Sequence, residues 1–330
     1  MGSMTPGLDD LLETARVVAL PMTTRFRGVD VREALLFEGP EGWAEFSPFV
    51  EYADAEASAW LAAAADYAWN SQPAPLRDRI PVNATVPAAD AAHVAEILER
   101  FPGCRTAKVK VADPGQQLSD DVARVRAVRE ALGPEGRIRI DANAAWNVDE
   151  AERALHALAE FDLEYAEQPC ATVDELAELR TRIKYMGIPI AADESIRKSD
   201  DPLAVARAGA ADLIVIKAPP LGGITHALQI VVAAGLPAVV SSALDTAVGL
   251  SQGAALAAAL PHLDYDCGLG TGALFAQDVA DLSPVDGAIP VGRVTPDAAR
   301  LDRFSASAER TEWWLDRLRR CHALLAASAS

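Results

Sequence analysis

Between residues 106 and 218 the chain reads TAKVKVA (106–112), RIRIDAN (137–143), LEYAEQP (163–169), PIAADES (189–195) and DLIVIKA (212–218). Each is a short apolar run that meets an ionisable residue near its C-terminal end: Lys110, Asp141, Glu167, Asp193 and Lys217. The intervals between these residues are 31, 26, 26 and 24, each the length of one strand and one helix. Amphipathic stretches at 119–132, 148–161 and 172–186 fill the gaps. Asn147 with Glu150, and Thr172 with Glu175, have capping-box spacing, and Gly133 and Gly187 stand where C-caps belong. Strands alternating with helices predict a parallel sheet.

Working outward, further strands are expected at 81–86, 237–242 and, more faintly, 263–267. The 188–193 and 212–217 segments complete a set of eight over about 190 residues. That count favours a modified (β/α) TIM-type barrel over an open doubly wound sheet. An open sheet would place a phosphate-binding glycine turn after its first strand, where this chain has Val86–Pro87–Ala88. The first eighty residues differ in texture. Val29–Phe37 and Trp43–Phe46 read as strands joined by the Gly39–Gly42 turn, an Ala-rich helix is expected at 53–69, and Gln72–Pro75 reads as a connector. This is an α+β segment.

Barrel active sites lie at the C-terminal strand ends. Strand parity puts Lys108 and Lys110 on one face and Val109 and Val111 on the other; Arg139, Asp141 and Asn143 share a face against Ile138 and Ile140. The apolar sets would pack on the helices and the polar sets point into the barrel. One charge at one strand end would mark only where the strand meets solvent. Five in order, Lys, Asp, Glu, Asp, Lys, point to a common mouth. Carboxylates converging to roughly 5 Å repel by about 3 kcal/mol even at an effective dielectric of 20, so they require a counter-charge. An all-oxygen set suits a hard cation, Mg²⁺, with Mn²⁺ as a substitute. Parity leaves open which of Asp193 and Glu194 is the ligand. Asn143 and Glu194 are expected to orient ligands from outside the coordination sphere.

A lysine with its ordinary pKa near 10.4 is too weak an acid to serve as a base at neutral pH. A second ammonium roughly 6 Å away lowers that value by about 2 units. Lys108 beside Lys110 is such an arrangement, and Lys217 approaches from the far side of the mouth. The chemistry assembled is abstraction of a proton α to a carboxylate, with the enolate charge held by cation and lysine.

Composition excludes other classes. Lys plus Arg is 30 against 48 Asp plus Glu, a formal charge of −18, which argues against a nucleic-acid or anionic-membrane binder. No apolar run is long enough to span a membrane; the best, 227–244, is broken by Gln229, Gly235 and Pro237. The opening MGSMTPG lacks the pattern of a signal peptide and resembles a cloning remnant. Cys104, Cys170, Cys267 and Cys321 form no C-x-x-C pair, which suits reduced thiols in the cytoplasm. The five histidines make no metal-binding spacing. The partner expected is a small anionic substrate, drawn by local positive charge; no protein partner is legible.

Lys-x-Lys, Asp-x-Asn, Glu-Gln-Pro, Asp-Glu-Ser and a final Lys, one strand–helix unit apart, resemble the muconate-lactonizing-type branch of the enolase superfamily. Within it the Ser241–Leu250 and Asp266–Thr271 segments and the compact Thr24–Gly28 region are most similar to the actinobacterial o-succinylbenzoate synthase family. The resemblance implies a capping domain over 1–80 plus about 285–330, and a catalytic barrel over 80–285. It implies a hydro-lyase of menaquinone biosynthesis that converts 2-succinyl-6-hydroxy-2,4-cyclohexadiene-1-carboxylate to 2-succinylbenzoate. Carried onto this sequence, Lys110 is the base, Lys217 stabilises the enolate, and Asp141, Glu167 and Asp193 bind Mg²⁺. The substrate contacts it suggests are Arg25, Arg27, Ser241, Ser242, Gly268 and Leu269. The loop expected between Pro21 and Gly28 is shorter than in many relatives, which bears on closure over substrate.

Other readings compete. N-succinylamino acid racemases and dipeptide epimerases of the branch use the same lysines and metal. Gly249–Leu250–Ser251–Gln252–Gly253 fits the G-x-S-x-G elbow of serine hydrolases, with His262 or His322 downstream. However, the preceding strand ends near Ser242, and 246–260 reads as one helix. Gly222–Gly223 and Gly268–Gly272 could present amides to an anion or simply turn the chain. A non-catalytic binding protein would have little use for paired lysines opposite three carboxylates.

Overall fold

The computed structural model describes residues 6–26, 28–199 and 201–328. An antiparallel sheet of β1 (Arg16–Phe26), β2 (Val29–Gly39) and β3 (Gly42–Phe46) forms the cap. β4 (Arg79–Pro81) then leads into a curled parallel sheet. Its strands are β5 (Ala84–Val86), β6 (Thr106–Lys110), β7 (Arg137–Asp141), β8 (Leu163–Glu167), β9 (Ile190–Ala192), β10 (Leu213–Ile216) and β11 (Ala238–Val240). They lie in sequence order across the sheet, each beside its successor. β12 (Ala288–Pro290) returns to pair antiparallel with β4.

The expected eighth strand at 263–267 does not form. Cys267 and Gly268 instead make single parallel bridges to Val82 and Ser241, one on each edge of the sheet. The Asn83 amide donates to the Cys267 carbonyl (2.9 Å) and the Gly268 amide to that of Val240 (2.8 Å). Two bridges are enough to close the barrel because the chain passes very close there. A Cβ added at Gly270 would stand 2.8 Å from the Asn83 carbonyl oxygen, so only glycine fits.

Strand parity is as expected. Val109, Ile138, Ile140, Ala166, Ile190, Ile214 and Val240 belong to the large apolar core that continues through the helices and the cap. Tyr165, Ala191, Leu213, Val215 and Val239 form a separate small cluster within the barrel. The helices Leu118–Leu132, Val148–Leu158 and Val173–Arg182 stand where periodicity put them. Asn147–Glu150 and Thr172–Glu175 are reciprocal capping boxes. Gly133 terminates the first helix at φ +73°. Gly187 is not a C-cap: the helix already ends at Arg182 with Ile183 as its cap, and Gly187 shapes the turn beyond.

The N-terminal loop expectation is also corrected. Pro21 does not open a loop but lies inside β1, which runs to Phe26. Pairing with β2 is regular from Arg16 to Pro21 and then shifts register before Phe26 meets Val29. Over the irregular part the strand leans on the barrel. The Ala276 amide donates to the Pro21 carbonyl (2.9 Å), and Thr23 Oγ1 donates to the Leu274 carbonyl (3.0 Å). Proline lacks an amide hydrogen, so the departure from β2 at that point leaves no donor unpaired. The C-terminal helix Ala308–Ser328 completes the cap: Trp314 meets Phe46 edge-on at 5.9 Å, and its Nε1 donates to Glu33 (2.9 Å).

At the N-terminal end of the barrel Arg139 is wholly buried. It donates to Glu164 through Nε (2.9 Å) and Nη2 (2.5 Å), and through Nη1 to the Tyr165 hydroxyl (3.0 Å) and the Asp266 carbonyl (2.7 Å). Arg139→Met would leave these acceptors facing an apolar side chain. The expected loss is about 3 kcal/mol or more, read as a lower urea midpoint; an unchanged midpoint would show the plug carries no stability.

Candidate active site

The strand register lines up the charges. Lys110 on β6 lies beside Asp141 on β7, and Asp141 lies beside Glu167 on β8. Asp193 follows β9, Lys217 follows β10, and Ser241–Ser242 follow β11. The side chains interleave by sign. Lys108 Nζ lies 2.8 Å from Asp141 and 2.6 Å from Glu167. Lys110 Nζ lies 2.5 Å from Asp141 and donates to Asn143 Oδ1 at 2.6 Å. Lys217 Nζ lies 2.6 Å from Asp193. Asp141, Glu167 and Asp193 are each 1% exposed.

Arg197, one helical turn beyond Asp193, ties the remaining groups together. Its Nε donates to Asp193 (3.1 Å), Nη2 to Glu194 (2.5 Å) and Nη1 to the hydroxyl of Tyr52 in the cap (3.1 Å). Asn143 Nδ2 also donates to Glu194 (3.3 Å). Gln168 holds the Asp-Glu-Ser turn, accepting from the amides of Asp193 (2.9 Å) and Ser195 (3.2 Å). Sequence reasoning passed over Arg197, Gln168 and Tyr52. The i, i+4 spacing from Asp193 marks Arg197, and Gln168 sits inside the Glu-Gln-Pro motif; nothing local marks Tyr52.

Burial alone would depress the Lys108 ammonium, but Asp141 and Glu167 outweigh it and hold its pKa well above the ordinary lysine value. Lys110 behaves oppositely. Burial, reinforced by Lys108, outweighs the pull of Asp141 and leaves its pKa below the ordinary value. Asp141 is held far below the carboxylate range by Lys108 and Lys110 despite its burial, and Asp193 by Lys217 and Arg197. Glu167 is pushed up to about 7 by burial and then by the charges of Asp141 and Asp193.

Among the described residues no three acidic, His or Cys side chains close into a ready metal cage; the carboxylates are turned onto lysine ammoniums. Two observations nevertheless fit a hard divalent cation. Glu167 Oε2 and Glu194 Oε2 are buried without a hydrogen-bond partner. The donors are all oxygen, and after burial it is the charges of Asp141 and Asp193 that raise Glu167.

The cleft over these groups is walled by Phe26, Phe49 and Trp60 of the cap and by Ser241–Leu244, Gly268 and Thr271 of the barrel. Ser242 Oγ lies 2.7 Å from Thr271 Oγ1. Arg25 stands farther out, in an open groove that reaches Lys110 past Phe26. Arg27 lies outside the described residues. Leu269 departs from expectation: it is fully buried with its side chain against the helix Ala247–Ala259 near Gly253, because Gly268 and not its neighbour faces the cleft. Ser251 lies within that helix, buried, and donates to the Val248 carbonyl (2.6 Å), so the G-x-S-x-G match is no nucleophile elbow.

Residues 89–296 match the model of the enolase C-terminal domain-like family, and residues 17–68 match the enolase N-terminal domain-like family. The chain is 56% identical to the o-succinylbenzoate synthase of Mycolicibacterium smegmatis, covering 98% of this chain and 100% of that one. It is 57% identical to the o-succinylbenzoate synthase of Mycobacterium leprae over 99% and 96% of the two chains. Among solved structures, the N-succinyl Arg/Lys racemase of Bacillus cereus superposes with a TM-score of 0.75 at 19% identity, over 89% of this chain and 97% of that one. The muconate lactonizing enzyme of Pseudomonas putida gives 0.72 at 20% identity, over 88% and 98%. The two solved structures share the fold; full-length identity carries the closer relationship, and the chain belongs to the enolase superfamily and, within it, to the o-succinylbenzoate synthase family.

Proposed function

We propose that this chain is a hydro-lyase that converts 2-succinyl-6-hydroxy-2,4-cyclohexadiene-1-carboxylate to 2-succinylbenzoate. The observation that carries this reading is identity of 56–57% to o-succinylbenzoate synthases over nearly the whole chain. The site geometry agrees with it. Lys110, the lysine with the depressed pKa, is the base. It takes the proton α to the substrate carboxylate, and the electron pair left behind delocalises into that carboxylate as an enolate. As the pair returns to form the ring double bond, the C–O bond breaks, and Lys110 delivers its proton to the departing hydroxyl on the same face, releasing water. Lys217 reaches the substrate from the end of β10, with three strands between it and β6 in the curled sheet, and stabilises the enolate. Asp141, Glu167 and Asp193 would hold Mg²⁺ or Mn²⁺, which when bound supplies positive charge against the enolate. Asn143 and Glu194 orient that set from outside it. Ser241, Ser242 and Gly268 line the substrate cleft and Arg25 guards its approach.

The domain division follows the same reading: residues 1–80 with about 285–330 as cap, and 80–285 as the catalytic barrel. No helix among the described residues is long and apolar enough to cross a membrane. Free cysteines at 104, 170, 267 and 321 suit a reducing compartment, and we place the enzyme in the cytoplasm acting on a small anionic substrate.

Chelation is expected to abolish turnover, with Mg²⁺ or Mn²⁺ restoring it; full activity after exhaustive chelation would remove the metal from the reaction. Asp141→Asn, Glu167→Gln and Asp193→Asn should each lower kcat/KM by several orders of magnitude.

Lys110→Ala should remove proton abstraction altogether. Lys108→Ala takes away a charge that depresses Lys110, so the rising, acid-side limb of its pH–rate profile, which reports deprotonation of Lys110, should move alkaline. A slower enzyme with an unmoved profile would assign Lys108 to positioning instead.

The racemase alternative is separated in D₂O. A syn dehydration needs one base on one face, whereas racemisation needs Lys217 to exchange protons as well. Incubation with the cyclohexadiene substrate should give a rapid ultraviolet change as the aromatic product forms. N-succinyl amino acids of either hand should epimerise little. Epimerisation at comparable kcat/KM, with deuterium entering from both enantiomers, would move the assignment to a racemase or a dual enzyme. Aromatisation makes the dehydration strongly downhill, which suits a site with a compact cap.

A further inference from the structure

Arg32 on β2 and Glu45 on β3 are cap residues whose side chains end against the barrel. Both are buried. Arg32 Nε donates to the Leu244 carbonyl (3.1 Å), and Nη2 donates to the Ala243 carbonyl (3.4 Å), to Ser47 Oγ (3.1 Å) and to the Ser47 carbonyl. The same guanidinium lies 4.5 Å from the centre of the Phe49 ring. Ser47 Oγ passes a hydrogen bond on to Glu45 Oε1 (2.6 Å). Glu45 Oε2 then accepts from the Thr246 amide (3.0 Å), the Thr246 hydroxyl (2.6 Å) and the Gly249 amide (3.0 Å). Thr246 is the N-cap of the helix Ala247–Ala259 and Gly249 lies in its first turn, where donors lack intrahelical partners and a carboxylate is favoured. A Cβ at Gly249 would stand 2.7 Å from Glu45 Oε2, so glycine is what lets the carboxylate come this close.

The backbone that these two side chains hold is a wall of the cleft. Residues 241–244 face it from the barrel and Phe49 faces it from the cap. Leu244 has φ +63°, a left-handed conformation that is costly for leucine and persists only where neighbours impose it. Arg32 touches both walls at once: it grips the carbonyls of the turn on one side and stacks on the aromatic ring on the other.

We propose that Arg32, braced through Ser47 and Glu45, is a positioning residue that holds the 241–246 turn at a fixed distance from Phe49 and thereby sets the cleft that receives the substrate. This rests on the function proposed above. Arg32 itself touches no reacting atom. Its planar guanidinium suits the arrangement: separate N–H groups point at the two carbonyls and at Ser47 while the flat face lies over the ring, a spread that the compact ammonium of lysine does not reproduce.

Arg32→Lys keeps the charge and removes the fork, so it is the decisive variant. It should raise KM for the cyclohexadiene substrate by about tenfold while kcat changes by less than about threefold, since the lysines and carboxylates are untouched. Hydrogen exchange should speed up in peptides covering 241–250 and stay unchanged over 137–141. Unaltered KM and exchange would overturn the proposal, as would a fall in kcat alone accompanied by a general loss of protection. Should Arg32→Lys fail to fold, Ser47→Ala is read in its place. It removes only the hydroxyl linking Arg32 to Glu45 and should raise KM about threefold with faster exchange over 241–250; no change there also overturns the proposal. Absence of turnover of the cyclohexadiene substrate by the wild-type enzyme would refute the functional reading instead, while the exchange measurement still decides the positioning role.

Discussion

Everything at the mouth of the barrel depends on one constraint: a carboxylate removed from water must be met by positive charge. Asp141, Glu167 and Asp193 stand at successive strand ends with almost no solvent contact. Lys110, Lys108, Lys217 and Arg197 are threaded between them so that no carboxylate is buried alone. The alternation follows from the parallel register, which sets Lys110, Asp141 and Glu167 side by side. The neutralisation is unequal. Asp141 is shared by two lysines, whereas among the described residues Glu167 has only Lys108 within ion-pair distance and keeps one oxygen without a partner. With all three carboxyls buried, that imbalance leaves one high and two low in pKa.

The same constraint separates the two lysines of β6. They are two residues apart on one strand and chemically identical, yet one is driven up in pKa and the other down. Lys108 lies between two carboxylates; Lys110 has one, and the Lys108 ammonium as a neighbour. A lysine with a lowered pKa thus arises from position alone, without any special residue.

The cap contributes in a different currency. It brings aromatic rings over the charges and fastens itself to the barrel by buried polar contacts. Tyr52 reaches Arg197 on the carboxylate side of the mouth, and Arg32 with Glu45 reaches the 241–249 segment on the other. These contacts join residues 145 to 212 positions apart. Their donors and acceptors are mainly backbone groups on one side, which is why the sequence carries no motif for them. Arg197 is different, since its spacing from Asp193 already places it one turn along a helix.

What the sequence by itself determined was the repeating unit and the facing of its strands. Apolar alternation settles which side of β6 or β7 meets the helices, and a period of one strand and one helix puts successive charges at one end of a barrel. Those are local properties of the chain, written in runs of five to seven residues. The capping boxes at Asn147 and Thr172 are local in the same sense. What only the tertiary structure decided depends on close approach between distant segments. The 263–267 run has the apolar character of a strand, but it forms only single bridges because it must fit between two edges already set by β5 and β11. Leu269 turns inward because its neighbour Gly268 takes the cleft side. β1 continues through Pro21 because the barrel segment near Ala276 supplies a partner that β2 no longer does. In each case the deciding energy is packing or hydrogen bonding against residues far away in sequence, and no local pattern encodes it.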